Sequence, residues 1–253
     1  IVLRDYQVDI INQFLDTPQC VQEIATGAGK TLITAALSER VEQYGRTVVI
    51  VPNKDLVRQT AEDYENMGLD VGVYFGDKKE MNKTHTICTW QSLNTMEKRY
   101  RDGLSEISLA EFLQGVVCVM VDEVHQAKAD VLKKLLTGPF SNVPLRWGLT
   151  GTIPKEQHEF FGIRAGLGQV INKLSAHELQ EEGVLAECNI DIVQMQDTVD
   201  FPNYQSELTY LVTDQKRLNY ISGLIDAMSQ NGNTLVLVDR IKCCEKLQEL
   251  LPN

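Results

Sequence analysis

Val21-Gln22-Glu23-Ile24-Ala25-Thr26-Gly27-Ala28-Gly29-Lys30-Thr31 is a short strand candidate that runs through a glycine-rich turn into a helix. Gly27 and Gly29 let backbone amides approach an anion with no Cβ in the way. The helix that opens near Lys30 points its positive dipole end at the same spot. Lys30 can reach the β- and γ-phosphates of a nucleotide, and the Thr31 hydroxyl can sit on Mg²⁺. The stretch departs from the pattern G-x-x-x-x-G-K-[ST] at one point, because Ile24 stands at its first glycine. By itself it also fits a glycine-rich turn with a chance lysine.

Working outward, short β-branched runs alternate with helical patterns. Strands are expected at Val21–Ile24, Thr47–Val51, Thr84–Thr89, Val116–Val121 and Arg146–Leu149. Each is nearly continuous in apolar residues, as strands buried on both faces are. Helices are expected at Tyr6–Leu15, Thr31–Tyr44, Lys54–Asn66, Leu109–Gln114 and Val131–Leu136. This alternation predicts an α/β fold with a parallel sheet flanked by helices. Ligands in such folds bind at the carboxyl ends of the strands.

One of those ends carries Asp122-Glu123-Val124-His125. Two adjacent carboxylates at the end of a buried strand are costly unless a cation is present. The Mg²⁺ of bound ATP would supply it. Asp122 is expected to hold the metal. Glu123, pointing the other way along the strand, would orient or deprotonate the attacking water. His125 falls on the same side as Glu123, where it could bridge the phosphate site to a neighbouring loop. Alone the four residues also fit a solvated strand end. With Lys30 and Thr31 they form complementary halves of one site.

Together these residues resemble a superfamily 2 helicase. Lys30-Thr31 resembles motif I, and Asp122-Glu123-Val124-His125 the DExH form of motif II. Leu3-Arg4-Asp5-Tyr6-Gln7 resembles the adenine-reading segment, which implies that Gln7, helped by Arg4, hydrogen-bonds the adenine edge. Pro52, Leu56 and Gln59 resemble motif Ia, and Thr89-Trp90-Gln91-Ser92 the nucleic-acid-contacting motif after it. Leu149-Thr150-Gly151-Thr152-Ile153-Pro154 resembles motif III, making Thr150 and Thr152 the coupling between ATP state and strand contact. Asn233–Leu251 resembles motif IV. Within the superfamily the wording is similar to the branch holding XPB-like and UvsW-type phage helicases and type I restriction motors.

The resemblance implies a RecA-like fold. It implies ATP held by Arg4, Gln7, Thr26, Gly27, Ala28, Gly29, Lys30 and Thr31, with Mg²⁺ on Thr31 and Asp122 and chemistry at Lys30, Asp122, Glu123 and His125. Asn53, Gln59, Thr89 and Gln91 become candidate contacts to a nucleic-acid backbone, DNA favoured over RNA. They are amide and hydroxyl groups of the kind that position phosphates, although helix caps and turns use the same residues. Trp90 could stack on a base or belong to the core. Gly76-Asp77-Lys78-Lys79 is a small basic loop that fits a phosphate contact or a solvated turn.

Residues 1–172 are expected to form the first motor domain, 173–188 a connector with a helix at Ser175–Glu182 capped by Gly183, and 189–253 the beginning of a second RecA-like domain. The second would contain a half-exposed strand at Asn189–Met195, a helix from Tyr204 to Ser229, a strand at Thr234–Val238 and a helix at Ile241–Leu251. No initiator Met is present, and motifs V and VI are not found. The chain is therefore expected to be a fragment that binds ATP but hydrolyses it poorly. In the family, an arginine finger from the missing part is worth about 10³–10⁵ in rate.

The totals limit the alternatives. A net charge of −11 opposes a general nucleic-acid binder, so any strand contact must be local. The longest apolar run, Val116–Val121, is far too short to span a membrane. The six cysteines show no C-x-x-C or zinc spacing. They are expected to be reduced, buried thiols in a cytoplasmic or nuclear protein. A small-molecule phosphate-loop kinase would need neither Arg4 and Gln7 nor Leu149–Pro154. A degenerate, non-enzymatic binding module would not keep Lys30, Thr31, Asp122 and Glu123. An RNA helicase and the motor subunit of a restriction enzyme stay open.

Overall fold

The structure, a computed structural model, describes all residues except Glu106, Ala127, Lys128, Pro154–Glu156, Asp197, Pro252 and Asn253. The described residues divide into two units, Ile1–Cys188 and Asn189–Asn253.

The first unit is an eight-stranded sheet with helices on both faces. In chain order its strands are β1 (Gln19–Ile24), β2 (Arg46–Val51), β3 (Val71–Phe75), β4 (Lys78–Lys79), β5 (His85–Thr89), β6 (Val116–Asp122), β7 (Leu145–Thr150) and β8 (Gln169–Leu174). They lie in the order β4-β3-β5-β2-β6-β7-β1-β8. Every pairing is parallel except that of β3 with β4. All five expected strands are present. The continuous apolar runs have a direct cause: alternate residues enter opposite cores. Val49, Val51, Cys118 and Met120 join one core with α1 (Asp5–Asp16), α2 (Lys30–Val41) and α3 (Lys54–Asn66). Val48, Ile50, Val119 and Val121 join the other, under α4 (Trp90–Arg101), α5 (Leu109–Phe112), α6 (Ala129–Thr137) and α7 (Gln157–Leu167).

Three strands and two helices were not expected. Gly72 interrupts the apolar run of β3, and a Cβ there would lie 2.7 Å from the Lys83 side chain. The edge strand β8 alternates between half-buried and exposed residues, so it lacks a continuous run. It crosses residue 172, and the first unit continues through α8 (Ala176–Glu181) to Cys188. In α4 only Leu93 and Met96 are buried, one turn apart in a polar segment. The other unexpected helix is α7. The polar residue inside β1 has a partner at each end of its amide. Gln22 is fully buried, donating to the Ile10 carbonyl at 2.9 Å and accepting from Asn172 at 3.0 Å.

The second unit holds α9 (Tyr204–Thr213), α10 (Gln215–Ser229) and α11 (Ile241–Leu250), packed around Leu218, Cys243 and Leu247. The single helix expected over Tyr204–Ser229 is broken at Asp214, whose carboxylate caps α10 by accepting from the Arg217 amide. The strands expected at Asn189–Met195 and Thr234–Val238 do not form among the described residues. Both segments are largely exposed, Leu237 at 84% and Ile192 at 88%. A strand needs a neighbour to take its backbone hydrogen bonds, and among the described residues neither segment has one.

Cys20, Cys88, Cys118 and Cys243 are buried free thiols, whereas Cys188 and Cys244 are exposed, against expectation. Among the described residues no helix is long and apolar enough to cross a membrane.

His85 is fully buried between α2's end and the sheet. Its Nε2 meets Glu42 at 3.0 Å and its Nδ1 meets Thr47 at 2.7 Å. Burial holds its pKa below the ordinary histidine value, outweighing the Glu42 carboxylate. A depressed histidine pKa gives stability that is complete above about pH 6.5 and is lost as pH falls through the folded value. Thermal unfolding between pH 7.5 and 5 is expected to show this loss, with a slope of at most about 1.4 kcal/mol per pH unit. A His85→Asn variant should lack that component. An identical pH profile in the two proteins would refute it.

Candidate nucleotide site

β6, β7 and β1 are neighbours in the sheet, and their carboxyl ends lie level, with Asp122 beside Leu149 and Glu23 beside Thr150. The candidate residues therefore meet through three adjacent loops. The first loop follows β1. Ile24 is the last residue of β1 and fully buried, so its position is strand backbone and has no need of glycine. Gly27 and Gly29 have φ of +88° and +82°, a region that side chains other than glycine rarely adopt. Gly29 is the N-cap of α2, which starts at Lys30. Thr26 is exposed and Ala28 buried.

Lys30 is 9% exposed, and its Nζ sits 2.7 Å from Glu123 Oε1. Among the described residues Asp122 makes no ion pair. It accepts only the Glu123 amide, at 2.9 Å. Burial pushes the Asp122 carboxyl up to about 6, with Lys30 pulling it down and Glu123 adding to the rise. The residues after Asp122 are not strand. Glu123 has φ +49°, and Val124–Gln126 is a 3-10 turn. The directions of Glu123 and His125 are thus set by this turn, not by the strand alternation used to place them.

The turn brings both residues onto the loop after β7. Glu123 Oε2 accepts the Gly151 amide at 3.3 Å and lies 3.4 Å from His125 Nδ1. The same nitrogen is 2.8 Å from Thr150 Oγ1. Thr150 donates its one hydroxyl proton to the Thr152 carbonyl at 2.7 Å. Its oxygen therefore accepts from His125, which places the imidazole proton on Nδ1. Gly151 lies close against the phosphate loop: a Cβ there would stand 3.1 Å from Thr26 Oγ1 and 3.6 Å from Lys30 Nζ. Lys30, Glu123, His125, Thr150 and Gly151 are thus one connected set. Pro154 lies outside the described residues.

Gln7 is buried against the same loop. Its Nε2 donates to the Ala28 carbonyl at 2.9 Å, beside Tyr6, whose hydroxyl donates to that carbonyl at 3.0 Å. Its Oε1 accepts the Arg4 amide at 3.0 Å, closing the first turn of α1. The structure ties Gln7 to the phosphate loop, while the Arg4 side chain is exposed. In the sequence Tyr6 is only one letter of a pattern, and nothing there anticipates its bond to Ala28.

Three of the four strand-contact candidates share a second feature, a cleft of about 440 Å³ beside the ends of β2, β3 and β5. Asn53 caps α3, accepting from Leu56 at 3.0 Å, and Thr89 caps α4, accepting from Ser92 at 3.2 Å. Gln91 follows in the first turn of α4 and is exposed. Gln59 is exposed on α3 but takes no part in the cleft wall. At 1.5 Å per residue it stands roughly 7–8 Å up the axis from the start of α3. Trp90 is partly buried against the second core.

The basic loop Gly76–Lys79 supplies Gly76 and Lys79 to this cleft, but the sequence does not point to Lys54 and Arg99 as its other cations. Lys54, Lys79 and Arg99 line it, and no described lining residue carries a carboxylate. These residues are far apart in sequence, and only the packing of α3, α4 and the β3–β4 hairpin collects them.

Residues 1–155 match the family described as type III restriction enzyme, res subunit (ResIII). The chain belongs to this family. Its first unit is the N-terminal motor domain of a superfamily 2 helicase-type protein. Over 98% of its length it is 23% identical to the ATP-dependent DNA helicase uvsW of Enterobacteria phage T4, covering 50% of that protein. It is 27% identical, also over 98% of its length, to the putative DNA 3'-5' helicase Rad25 of Halobacterium salinarum, covering 40% of that protein. The chain thus spans half or less of the length of these two relatives. Among solved structures, the Pyrococcus furiosus Hef helicase domain superposes with a TM-score of 0.58 at 20% identity, over 97% of this chain and 52% of that one. T4 UvsW gives 0.57 at 18% identity, over 99% and 50%. These likenesses bear out the RecA-like α/β fold of the first unit.

Proposed function

We propose that the protein is an ATP-dependent translocase or helicase that couples ATP hydrolysis to movement along nucleic acid, DNA favoured over RNA. The observation that carries this reading is the connected set at the ends of β1, β6 and β7. There a phosphate loop, a pair of carboxylates and the loop after β7 share hydrogen bonds. The names of the T4 and Halobacterium relatives support DNA as the polymer.

In this reading Gly27–Thr31 hold the phosphates of ATP, and Lys30 leaves Glu123 to meet them. The donor set fits Mg²⁺, a hard cation that takes oxygen ligands. Asp122 is a half-buried carboxylate whose charge that burial disfavours, and Thr31 offers a hydroxyl at the start of α2. Bound with ATP, Mg²⁺ would neutralise charge on the phosphate oxygens. Glu123, once released by Lys30, orients the attacking water and accepts its proton. His125 and Thr150 carry the state of Glu123 to the loop after β7. The helices of residues 189–253 are the opening of a second motor domain. The arginine finger would come from a later part of that domain, so residues 1–253 alone should bind ATP and turn it over slowly.

The strand backbone would run through the cleft of Asn53, Thr89 and Gln91, with Lys54, Lys79 and Arg99 as its cations. This accounts for nucleic-acid binding by a chain of net charge −11, since the field is local. In the full-length protein, single-stranded DNA at low salt should stimulate ATPase activity. The Lys79→Ala/Arg99→Ala variant should flatten the plot of log affinity against log salt by about 1.4, near 0.7 for each phosphate that is no longer neutralised. Absence of DNA stimulation at low salt would sink the motor. An unchanged salt slope would sink only the placement of the strand.

A further inference from the structure

The turn after α8 packs on the phosphate loop. A Cβ built on Gly27 would lie 2.7 Å from Leu185 Cδ2, so the leucine side chain occupies the space beside that glycine. Gly27, like Thr26, is exposed, and Leu185 is half-buried against the core that includes Ala25 and Ala28. The leucine is held there by its backbone. The Val184 and Leu185 amides both donate to the Leu179 carbonyl, at 2.8 and 3.0 Å, and Leu179 is fully buried. Gly183, with φ +70°, makes the turn possible. The first unit ends three residues beyond Leu185, at Cys188, and the second unit begins at the next residue.

We infer that Leu185 is a positioning residue for the phosphate loop, and that through it the segment 183–188 senses whether the loop holds a nucleotide. Leu185 supports Gly27 in its left-handed conformation, from which the loop amides can face phosphate. No covalent step is involved. Coupling of this kind is reciprocal: if nucleotide steadies residues 183–188, then displacing those residues weakens nucleotide binding by the same factor. The segment leads directly into the second unit, so movement of the chain there would reach the nucleotide through one packed side chain. The inference rests on the phosphate loop binding ATP.

The test uses the full chain, with an unhydrolysed ATP analogue and Mg²⁺ as the probe. Leu185→Ala is expected to weaken analogue binding about tenfold, the scale of typical coupling free energies. In the parent protein the analogue should slow hydrogen exchange at the Val184 and Leu185 amides, and in Leu185→Ala it should not. Leu185→Met, which restores the volume, should recover both properties. Leu145→Ala, which trims another residue packed on the same core but outside this segment, should bind the analogue as the parent does. Thermal unfolding of each variant separates loss of fold from loss of support. If Leu185→Ala folds and binds the analogue within twofold of the parent, or if the analogue leaves exchange at residues 183–186 unchanged, the inference fails while ATP binding stands. If the parent binds no analogue, both fall.

Discussion

Lys30→Ala is expected to reduce affinity for ATP by about 100-fold, because charge-assisted hydrogen bonds contribute about 1.5–3 kcal/mol each and Lys30 would give more than one. The structure adds a second consequence. Lys30 and Glu123 form a 2.7 Å pair with side chains only 9% and 15% exposed. Removing the lysine leaves Glu123 without its cation in a site where Asp122 is already disfavoured as an anion by burial. Breaking such a pair from one side costs about 3 kcal/mol. The variant should therefore lose both nucleotide binding and thermal stability. Lys30→Ala/Glu123→Gln should regain much of the stability but none of the binding. Calorimetric titration with a nucleotide analogue and unfolding curves of the three proteins read the two effects separately. A single variant that binds ATP within threefold of the parent would remove Lys30 from the phosphate site.

Glu123→Gln should have the opposite profile. Hydrolysis in the full-length protein, measured with DNA in a single turnover, is expected to fall by about 10²–10⁴, the usual contribution of a positioned general base. Nucleotide affinity should not fall, and a modest rise is expected. Without ATP, Glu123 competes for Lys30; a neutral amide competes less, so Lys30 is freer to meet phosphate. The Gly151 amide would still have an oxygen to donate to, which keeps the loop after β7 in place. Normal turnover in Glu123→Gln would show that another group activates the water. Weakened binding would show that the pair in the nucleotide-free site helps to shape the phosphate loop.

The two halves of the nucleotide site differed in how readable they were. Lys30, Thr31, Asp122 and Glu123 can be named from the sequence because Lys30 and Thr31 open a helix after a glycine loop, while Asp122 and Glu123 follow an apolar run at a strand end. The roles assigned by strand alternation had a weaker basis. The chain leaves β6 at Asp122, and the positive φ of Glu123 re-aims everything after it. The ion pair to Lys30 and the bond from His125 to Thr150 follow from that turn, and a period-two pattern cannot show it. Similarly, the motif resemblance implies an adenine contact for Gln7, while its described contacts are the Arg4 amide and the Ala28 carbonyl.

Continuous apolar runs betray strands covered on both faces, which is why β2 and β6 are legible, while β1, β5 and β7, interrupted by polar residues or glycine, are read from their alternation with helices and from the motifs at their ends. The strands β3 and β8 are not legible, because a glycine and a wet edge break the run. The strands expected at Asn189–Met195 and Thr234–Val238 show the converse. Their pattern is that of strands, but a β-segment is completed only by a neighbour, and among the described residues it has none. The sequence by itself determined the local events: which segments are buried on two faces, where a glycine loop meets a helix, and which carboxylates end a strand. These depend on neighbours a few residues away. Only the tertiary structure decided which distant groups share a site. It set the partner of Lys30, gathered Lys54, Lys79 and Arg99 into one cleft, and laid Leu185 on Gly27. Those pairings are fixed by strand order and by the backbone angles at turns, and they leave no periodic trace in the chain.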